Sequence, residues 1–204
     1  MPSRVIYLVR HGAYEPDPTD PVDGGTLTDV GRQQASLLAD RLAGTEFDVI
    51  AHSSALRAVQ TADVLAFQLA QVPRHSEDLL RECIPTVPET SDLTDGQREF
   101  FTQLPEQMRT DGPLRAEAAV RQFSKVGGRD TRELVVSHGN LINFFVSEAM
   151  GAPRHGWLRP LDYHCGLTIL RYRDDAPPRL ITYNDIGHLP QHLRGVEYPQ
   201  DLRV

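Results

Sequence analysis

The chain has 204 residues, of which 40% are hydrophobic and 24% charged, so it can bury a substantial core as a single domain spanning 1–204. Its net charge of −7 gives no general attraction to nucleic acid or to an anionic membrane surface. No apolar run approaches the roughly 20 residues that a membrane-spanning helix needs. The two cysteines, Cys83 and Cys165, form no CxxC pair, which argues against a disulfide framework or a zinc site and favours a cytoplasmic location.

Apolar and β-branched runs alternate with helical periodicity along most of the chain. The sequence predicts five strands, at 4–9, 47–51, 133–137, 166–172 and 179–183. It predicts five helices, from the N-cap Thr28 to Gly44, from a Ser53 or Ser54 cap to about Ala70, and at 99–108, 114–126 and 141–150. A long loop at 12–26 contains three prolines, and the last residues read as an irregular tail.

Strands that alternate with helices predict an α/β fold, a three-layer α/β/α sandwich with a mostly parallel central sheet. In such sheets ligands bind beyond the carboxyl ends of the strands. Prolines and glycines interrupt residues 73–115, and this stretch is expected to be a variable segment that caps the binding site.

Two of the clearest parallel strands end in a His-Gly pair, His11-Gly12 after the first and His138-Gly139 after the third. Both histidines therefore fall at the edge of the sheet where ligands bind. Glycine after each histidine permits close approach of a ligand to backbone amides, and a helix N-terminus follows His138, an arrangement that suits a phosphate.

Two arginines extend this pattern. Arg10 precedes His11, and Arg57 lies near the start of the helix after the second strand, from which its guanidinium can reach the same edge. Arg10, Arg57 and His138 would then hold the oxygens of a phosphoryl group while His11 faces the phosphorus.

This geometry predicts nucleophilic catalysis, in which neutral His11 attacks phosphorus and water later cleaves the phosphohistidine. Arginines supply the charge neutralisation, so no metal or other cofactor is expected. A carboxylic acid must protonate the leaving alcohol, and the sequence offers four candidates near the site: Glu15, Asp17, Glu82 and Glu89.

Five ordered blocks resemble the signatures of the histidine phosphatase superfamily, also called phosphoglycerate mutase-like. They are RHG at 10–12, LTDVGRQQA at 27–35, SALRAVQTA at 54–62, LRE at 80–82 and VSHG at 136–139. The resemblance implies that His11 is the phosphorylated nucleophile, that Arg10, Arg57 and His138 bind the phosphoryl group, and that Glu82 is the acid and base. It also implies a phosphoglycerate mutase-like fold and a phosphatase that needs no metal.

Within the superfamily, the chain is most similar to the serine/threonine phosphatase branch related to phosphoglycerate mutase, through Tyr14, the segment at 79–88 and GWLR at 156–159. Two departures from other members matter. The asparagine that many small-molecule members carry after RHG is missing from 14–18 (YEPDP), and the basic pattern that follows the acid in the mutases is replaced by Cys83-Ile84-Pro85. Mutase activity is therefore disfavoured.

The expected substrate is a phosphorylated small molecule or a phosphoprotein. A mutase and a non-catalytic phosphate-binding module on the same fold are the alternatives. Additional arginines at the rim, which small polyanionic substrates would need, are available at Arg81, Arg98, Arg109 and Arg115. The oligomeric state is left open between monomer and homodimer.

Overall fold

The computed structural model describes residues 1–20, 23–89 and 93–204, and it has a mixed six-stranded sheet as its central layer. The strands are β1 (Arg4–Arg10), β2 (Tyr14–Glu15), β3 (Thr26–Leu27), β4 (Val49–His52), β5 (Arg74–Ser76), β6 (Thr131–Ser137), β7 (Leu167–Arg173) and β8 (Ala176–Asp185). The large sheet has the order β5-β4-β6-β1-β7-β8, and β2 pairs with β3 in a separate ribbon. The sequence prediction missed β5 and this ribbon, which lies in the predicted loop at 12–26; residues 21 and 22 of that loop are outside the described residues.

Four neighbouring strands of the large sheet are parallel, and two are antiparallel. β5, β4, β6 and β1 run in one direction, while β7 and β8 complete the sheet in antiparallel fashion beside β1. The prediction of a mostly parallel sheet in an α/β fold is therefore confirmed. β1 lies between β6 and β7 in the sheet. Its residues Ile6, Leu8 and Val9 are fully buried, as expected for a strand covered on both faces.

In the described part of the chain, five helices connect and cover the strands. They are α1 (Asp29–Leu42), α2 (Leu56–Gln68), α3 (Asp95–Gln103), α4 (Glu106–Ser124) and α5 (Gly139–Ala149). Thr28 caps α1 as predicted, because its Oγ1 accepts a hydrogen bond from the amide of Gly31 at 3.1 Å. The predicted serine cap of α2 is wrong, since Ala55 holds the N-cap position without a side-chain bond.

The third and fourth helices divide at Pro105, and the predicted division at 112–113 is wrong. α4 continues through Pro113, whose ring normally disrupts a helix interior. Gly112 packs so closely against the backbone of Ile84 that a Cβ there would lie 2.5 Å from the Ile84 carbonyl oxygen. Tertiary packing of α4 against the segment after Glu82 therefore overrides the local preference for a break.

The helices cover both faces of the sheet and bury a separate apolar core on each. On one face α4 and α5 pack against β1 and β6, with Phe123, Phe145 and Trp157 among the buried side chains. On the other face α1 and α2 pack with Leu38 and Leu65 against the same strands. Among the described residues, no helix is both long enough and apolar enough to cross a membrane.

The sheet register brings three loop starts together at one edge. Arg10 lies opposite Ser137 in the parallel β1–β6 pair, and the amide of His11 continues the ladder to the Ser137 carbonyl at 3.0 Å. On the other side of β6, the Ser53 amide donates to the carbonyl of Val136 at 2.9 Å. The residues that follow β1, β4 and β6 thus emerge side by side at the carboxyl ends of the strands, where ligands bind in such sheets.

Candidate active site

His11 and His138 lie next to each other because they follow adjacent parallel strands. Their ring centroids are 5.0 Å apart, and both side chains are buried. Arg57 reaches both from the first turn of α2: its Nε lies 3.2 Å from Nε2 of His11, and one terminal nitrogen lies 3.2 Å from Nδ1 of His138. The structure thus brings together three of the residues singled out in the sequence.

The partners of His11 determine which ring nitrogen carries the proton. Nδ1 lies 2.9 Å from the carbonyl oxygen of Gly12, which can only accept, so Nδ1 is protonated. Nε2 faces the Nε–H of Arg57, and arginine has no acceptor, so Nε2 presents its lone pair. Nε2 is therefore the ring nitrogen that can attack an electrophile.

His138 is fixed in the corresponding way. Its Nδ1 accepts from Arg57, which leaves the proton on Nε2, and Nε2 donates to Oγ of Ser53 at 2.9 Å. The same hydroxyl oxygen accepts from the amide of Ala55 at 3.2 Å. The serine expected to cap α2 instead orients a histidine of the site.

Both histidines are held neutral at physiological pH. Burial lowers the pKa of His11 well below its usual range, and His138, His164, Arg10 and Arg57 lower it further. Burial, followed by the charges of Arg57 and Arg10, does the same to the pKa of His138. A neutral imidazole is the form of His11 that can act as a nucleophile.

Arg10 lies beside this pair, and the end of the chain holds it there. Its terminal nitrogen donates to the carbonyl oxygen of Asp162, to a carboxylate oxygen of Glu197 at 3.3 Å and to the Tyr198 hydroxyl at 3.2 Å. Its Nε is buried and makes no hydrogen bond within the described chain, so one donor is available to a ligand. Gly139, the first residue of α5, lies against this guanidinium.

Glu82 differs from the other three acid candidates in its surroundings. Its carboxylate accepts from the amide of Cys83 at 3.1 Å, and burial raises its pKa even though Arg10 and Arg57 act in the opposite direction. Glu15 and Glu89 are exposed, and Asp17 accepts from the amide and hydroxyl of Thr19 in a surface turn. Of these four acids, only Glu82 lies close enough to Arg10 and Arg57 for their charges to act on it, and it is partly shielded from solvent.

Two clefts meet at Glu82. The larger, of about 360 Å³, is lined by residues around the start of α4 together with the loop after β5: Asp23, Arg81, Glu82, Cys83, Pro105, Gln107, Met108, Asp111, Gly112 and Arg115. The smaller, of about 210 Å³, also contains Arg10 and Gly139, and its apolar wall includes Leu158 and Leu161. Glu82 thus lines both clefts, and in the smaller one it is accompanied by Arg10.

The loop after β1 closes over Arg57. The Tyr14 ring lies 4.9 Å from the Arg57 guanidinium carbon, a cation–π contact, and Arg57 also donates to the carbonyl oxygen of Gly24 at 3.0 Å. Asp23 of this loop forms an ion pair with Arg81. The loop therefore contacts the site in two ways, through the Tyr14 ring on Arg57 and through the ion pair of Asp23 with Arg81, the residue that precedes Glu82.

The four rim arginines have different surroundings. Arg81 pairs with Asp23, and Arg98, which lines neither cleft, pairs with Asp95 at the start of α3. Arg115 lines the larger cleft, where it donates to the carbonyl oxygen of Glu82 at 3.4 Å, whereas Arg109 lines neither cleft. Two carboxylates, Asp23 and Asp111, share the larger cleft.

Sequence reasoning missed several residues that contact the site. Ser53 was interpreted as a helix cap, and the tail was expected to be irregular although it supplies Glu197 and Tyr198. His164, whose ring centroid is 5.3 Å from that of His11, follows no strand end and belongs to no recognised block. No local pattern distinguishes these positions, because only the folded chain brings them to Arg10 and His11.

Comparison with known proteins identifies the group to which this chain is related. The family model for the histidine phosphatase superfamily (branch 1) matches residues 6–186. The mitochondrial serine/threonine-protein phosphatase PGAM5 of Mus musculus is 37% identical over 92% of this chain, and the chain spans 65% of that protein.

Solved structures share the fold. YhfR of Bacillus stearothermophilus superposes with a TM-score of 0.70 at 24% identity, covering 91% of this chain and 98% of that one. A phosphoglycerate mutase from Plasmodium falciparum gives a TM-score of 0.60 at 26% identity, covering 93% of this chain and 96% of the other. The predicted phosphoglycerate mutase-like architecture is therefore confirmed.

The predicted cytoplasmic location is contradicted by these relatives. The mouse protein is named as mitochondrial, and its rat and human counterparts carry the same designation. Two cysteines without a disulfide pattern are compatible with any compartment that keeps thiols reduced, so they do not single out the cytoplasm.

The family signatures, the fold and the paired histidines agree, and the chain belongs to the histidine phosphatase superfamily, branch 1.

Proposed function

We propose that this protein is a phosphomonoester phosphatase that works through a phosphohistidine at His11 and needs no metal. The observation that carries the proposal is the state of His11: a buried, neutral imidazole whose Nε2 lone pair faces Arg57 while Nδ1 is anchored on the Gly12 carbonyl. Family membership supports the same activity.

In the first step, Nε2 of His11 attacks phosphorus in line with the leaving alcohol, so a P–N bond forms and the ester P–O bond breaks. Arg10, Arg57 and His138 stabilise the charge on the phosphoryl oxygens. Arg57 moves its donor from His11 to a phosphoryl oxygen as the substrate arrives. Glu82, whose pKa is raised by burial, serves as the general acid and gives its proton to the leaving oxygen.

In the second step, ionised Glu82 takes a proton from water, and the resulting hydroxide attacks phosphorus. The P–N bond breaks, phosphate leaves, and His11 recovers its lone pair. Glu82 lies where both clefts meet, so it can serve the departing alcohol and the entering water in turn.

The charges around the larger cleft favour a substrate with a single phosphoryl group over a small polyanion. Of the four arginines considered for the rim, Arg81 is neutralised by Asp23, and Arg115 shares the cleft with Asp111. The relative from mouse is named as a serine/threonine-protein phosphatase. We therefore assign phosphorylated serine or threonine side chains of proteins as the preferred class of substrate.

The segment 73–115 acts as the cap of this site within a single domain, 1–204. It supplies Glu82 and most of the larger cleft, including Gln107, Met108 and Arg115. Residues 90–92 of the segment lie outside the described residues. Variation in this stretch would change substrate choice while leaving the phosphoryl-binding residues in place.

The test is phosphate release in EDTA from an aryl phosphate, phosphosugars, phosphoglycerates and phosphoserine or phosphothreonine peptides, with His11→Ala as the matched inactive variant. We expect the wild type to release phosphate, with the peptides preferred among alkyl esters, and His11→Ala to release none while retaining its circular dichroism spectrum. Turnover by folded His11→Ala at the wild-type rate would refute the proposal. Isomerisation of a phosphoglycerate without net phosphate release would identify a mutase instead.

A further inference from the structure

His164 is a buried histidine beside the nucleophile that the reaction scheme above does not use. Its side chain is 4% exposed, and its ring lies 5.3 Å from that of His11 and 6.2 Å from that of Tyr14. Nδ1 of the ring lies 3.2 Å from a carboxylate oxygen of Glu197, whereas Nε2 has no hydrogen-bond partner within the described chain. A buried polar group of this kind costs free energy unless a partner is supplied.

A tight turn brings His164 to this place. The amide of Gly166 bonds to the carbonyl of Tyr163 at 2.8 Å, and the amide of Cys165 bonds to the carbonyl of Arg10 at 3.0 Å. Cys165 has a φ of 55°, a left-handed conformation that is unfavourable for a side chain other than glycine or asparagine. The turn thus crosses the carboxyl end of β1 in a conformation that holds His164 against His11.

Glu197 connects His164 to Arg10. One of its carboxylate oxygens accepts from the backbone amide of His164 at 2.8 Å and also lies 3.3 Å from Arg10, while the other lies 3.2 Å from Nδ1 of the His164 ring. Burial alone would raise the pKa of Glu197, but the hydrogen bond from His164 and the charge of Arg10 lower it to about 2. Glu197 is therefore ionised, and its carboxylate contacts both Arg10 and His164, two groups that face the phosphoryl-binding site.

We propose that His164 is a further phosphoryl-binding residue, which donates from Nε2 to a phosphoryl oxygen, and that Glu197 of the C-terminal tail positions and charge-balances it. The inference rests on the proposed function for the identity of the ligand. Burial lowers the pKa of the His164 ring, whereas the hydrogen bond to Glu197 raises it. Nδ1 holds its proton toward Glu197, and Nε2 takes a proton from the monoanionic form of the phosphomonoester, whose second ionisation lies near pH 6. The imidazolium then stands between two anions, the carboxylate and the phosphoryl group.

The arrangement gives the tail a role in the site. Glu197 bonds to Arg10 and His164 together, so one carboxylate sets the positions of two donors. Tyr198 adds its hydroxyl to the same arginine at 3.2 Å. Glu197 is a positioning residue in this scheme, since it acts through Arg10 and His164 and does not contact the substrate.

The experiment is the dissociation constant of inorganic phosphate, measured by calorimetry on the full chain, for wild type, His164→Phe and His164→Asn. Phenylalanine preserves a ring but offers no donor, whereas asparagine keeps an amide group that can donate a hydrogen bond. We expect His164→Phe to raise the dissociation constant by about tenfold or more, as for loss of a hydrogen bond to a charged group, and His164→Asn to recover part of the loss. His192→Gln, on an exposed histidine, is the matched control and should bind as the wild type does.

A double-mutant cycle separates the positioning role of Glu197 from general support of the tail. Glu197→Gln should weaken phosphate binding several-fold, and this effect should shrink in the His164→Phe background because the two residues act together. Asp201→Asn, on the same tail, should have no effect. An unchanged Glu197→Gln effect in that background would overturn the assignment of Glu197 to His164.

A spectroscopic measurement covers the case in which His164→Phe does not fold. Phosphate added to the wild type should produce a new imidazole N–H resonance that is absent from His164→Asn. Phosphate binding by folded His164→Phe with the wild-type constant, or the same resonance in His164→Asn, would overturn the proposal. Turnover is recorded separately, so an enzyme that binds phosphate through His164 without hydrolysing esters would contradict only the proposed function.

Discussion

Arg57 donates its Nε–H to Nε2 of His11 at 3.2 Å, so the arginine holds the nitrogen that attacks phosphorus in the proposed mechanism. The same guanidinium donates to Nδ1 of His138 at 3.2 Å and thereby fixes the tautomers of both histidines. In the proposed mechanism, Arg57 orients the nucleophile before substrate binds, and its donors then turn to the phosphoryl oxygens.

Replacement of Arg57 by lysine should lower kcat/KM by roughly 100- to 1,000-fold, because a lysine keeps the charge but cannot contact His11, His138 and a phosphoryl oxygen with one planar fork. Steady-state kinetics on an aryl phosphate measure the loss. Arg32→Lys, on the exposed side of α1, is the control. Near-normal kinetics for Arg57→Lys would mean that charge alone is sufficient at this position.

Glu82→Gln should reduce hydrolysis of alkyl phosphates by roughly 100- to 10,000-fold, since an amide cannot supply the proton that an alkoxide needs. Aryl phosphates with good leaving groups should be affected much less in the first step. Comparison of kcat/KM for a phosphoserine peptide and an aryl phosphate tests this, with the exposed Glu89→Gln as control. Equal losses on both substrates would remove Glu82 from the acid role.

Ser53→Ala should lower kcat/KM by about tenfold and destabilise the fold by about 1–3 kcal/mol, because the buried Nε2–H of His138 would lose its acceptor. The adjacent serine provides the control. Ser54 is exposed and donates to Asp78 at the surface, so Ser54→Ala should leave kinetics unchanged. Kinetics and urea unfolding of both variants distinguish the two serines, and equal behaviour would contradict the orienting role.

Gly31→Ala should destabilise the protein by about 1–3 kcal/mol, although alanine is the better helix former. A Cβ at Gly31 would lie 2.0 Å from the carbonyl oxygen of Ala13, two residues after His11. Gly44→Ala is the matched change at the other end of α1, where the added methyl meets open space, and it should alter stability by no more than about 0.5 kcal/mol. Urea unfolding measures both, and a stable Gly31→Ala would mean that this backbone crossing can relax.

His188→Gln should make the stability of the fold less sensitive to acid. Burial lowers the pKa of His188 to about 4, below the value near 6.5 of an unfolded histidine, so the unfolded chain binds more protons between these pH values. Its contribution is present above pH 6.5 and is lost as the pH falls toward 4. The slope of the unfolding free energy against pH should decrease in the variant without vanishing, because buried His11 and His138 act in the same direction.

Urea titrations from pH 4 to pH 8 measure this slope. The exposed His192→Gln is the control and should reproduce the wild-type profile. A His188→Gln profile that is parallel to the wild type throughout would show that His188 takes no part in the acid sensitivity.

Much of the site could be predicted because it depends on strand ends. The apolar run at 4–9 and the run at 133–137 predicted parallel neighbours, and residues that follow such strands must emerge at one edge of the sheet. His11, His138 and the nearby arginines were therefore accessible from spacing alone. Glu82 was one acid among four until the family signature distinguished it, because its selection depends on burial that no local pattern encodes.

Other elements depended on contacts between segments that are distant in the chain. The sequence indicated a helix break at Pro113, but Gly112 packs against Ile84 and the helix continues. Ser53 matched the preferences of a helix cap, yet the β4–β6 register places its hydroxyl on His138.

The α/β sheet and the group of His11, Arg10, Arg57 and His138 could be predicted from the sequence, because periodicity and strand ends are local properties. That His164, on a turn before β7, and Glu197, near the end of the chain, reach Arg10 and His11 is visible only in the folded chain. Their positions follow from long-range packing, and a contact between residues more than 180 positions apart leaves no periodic signal in the intervening sequence.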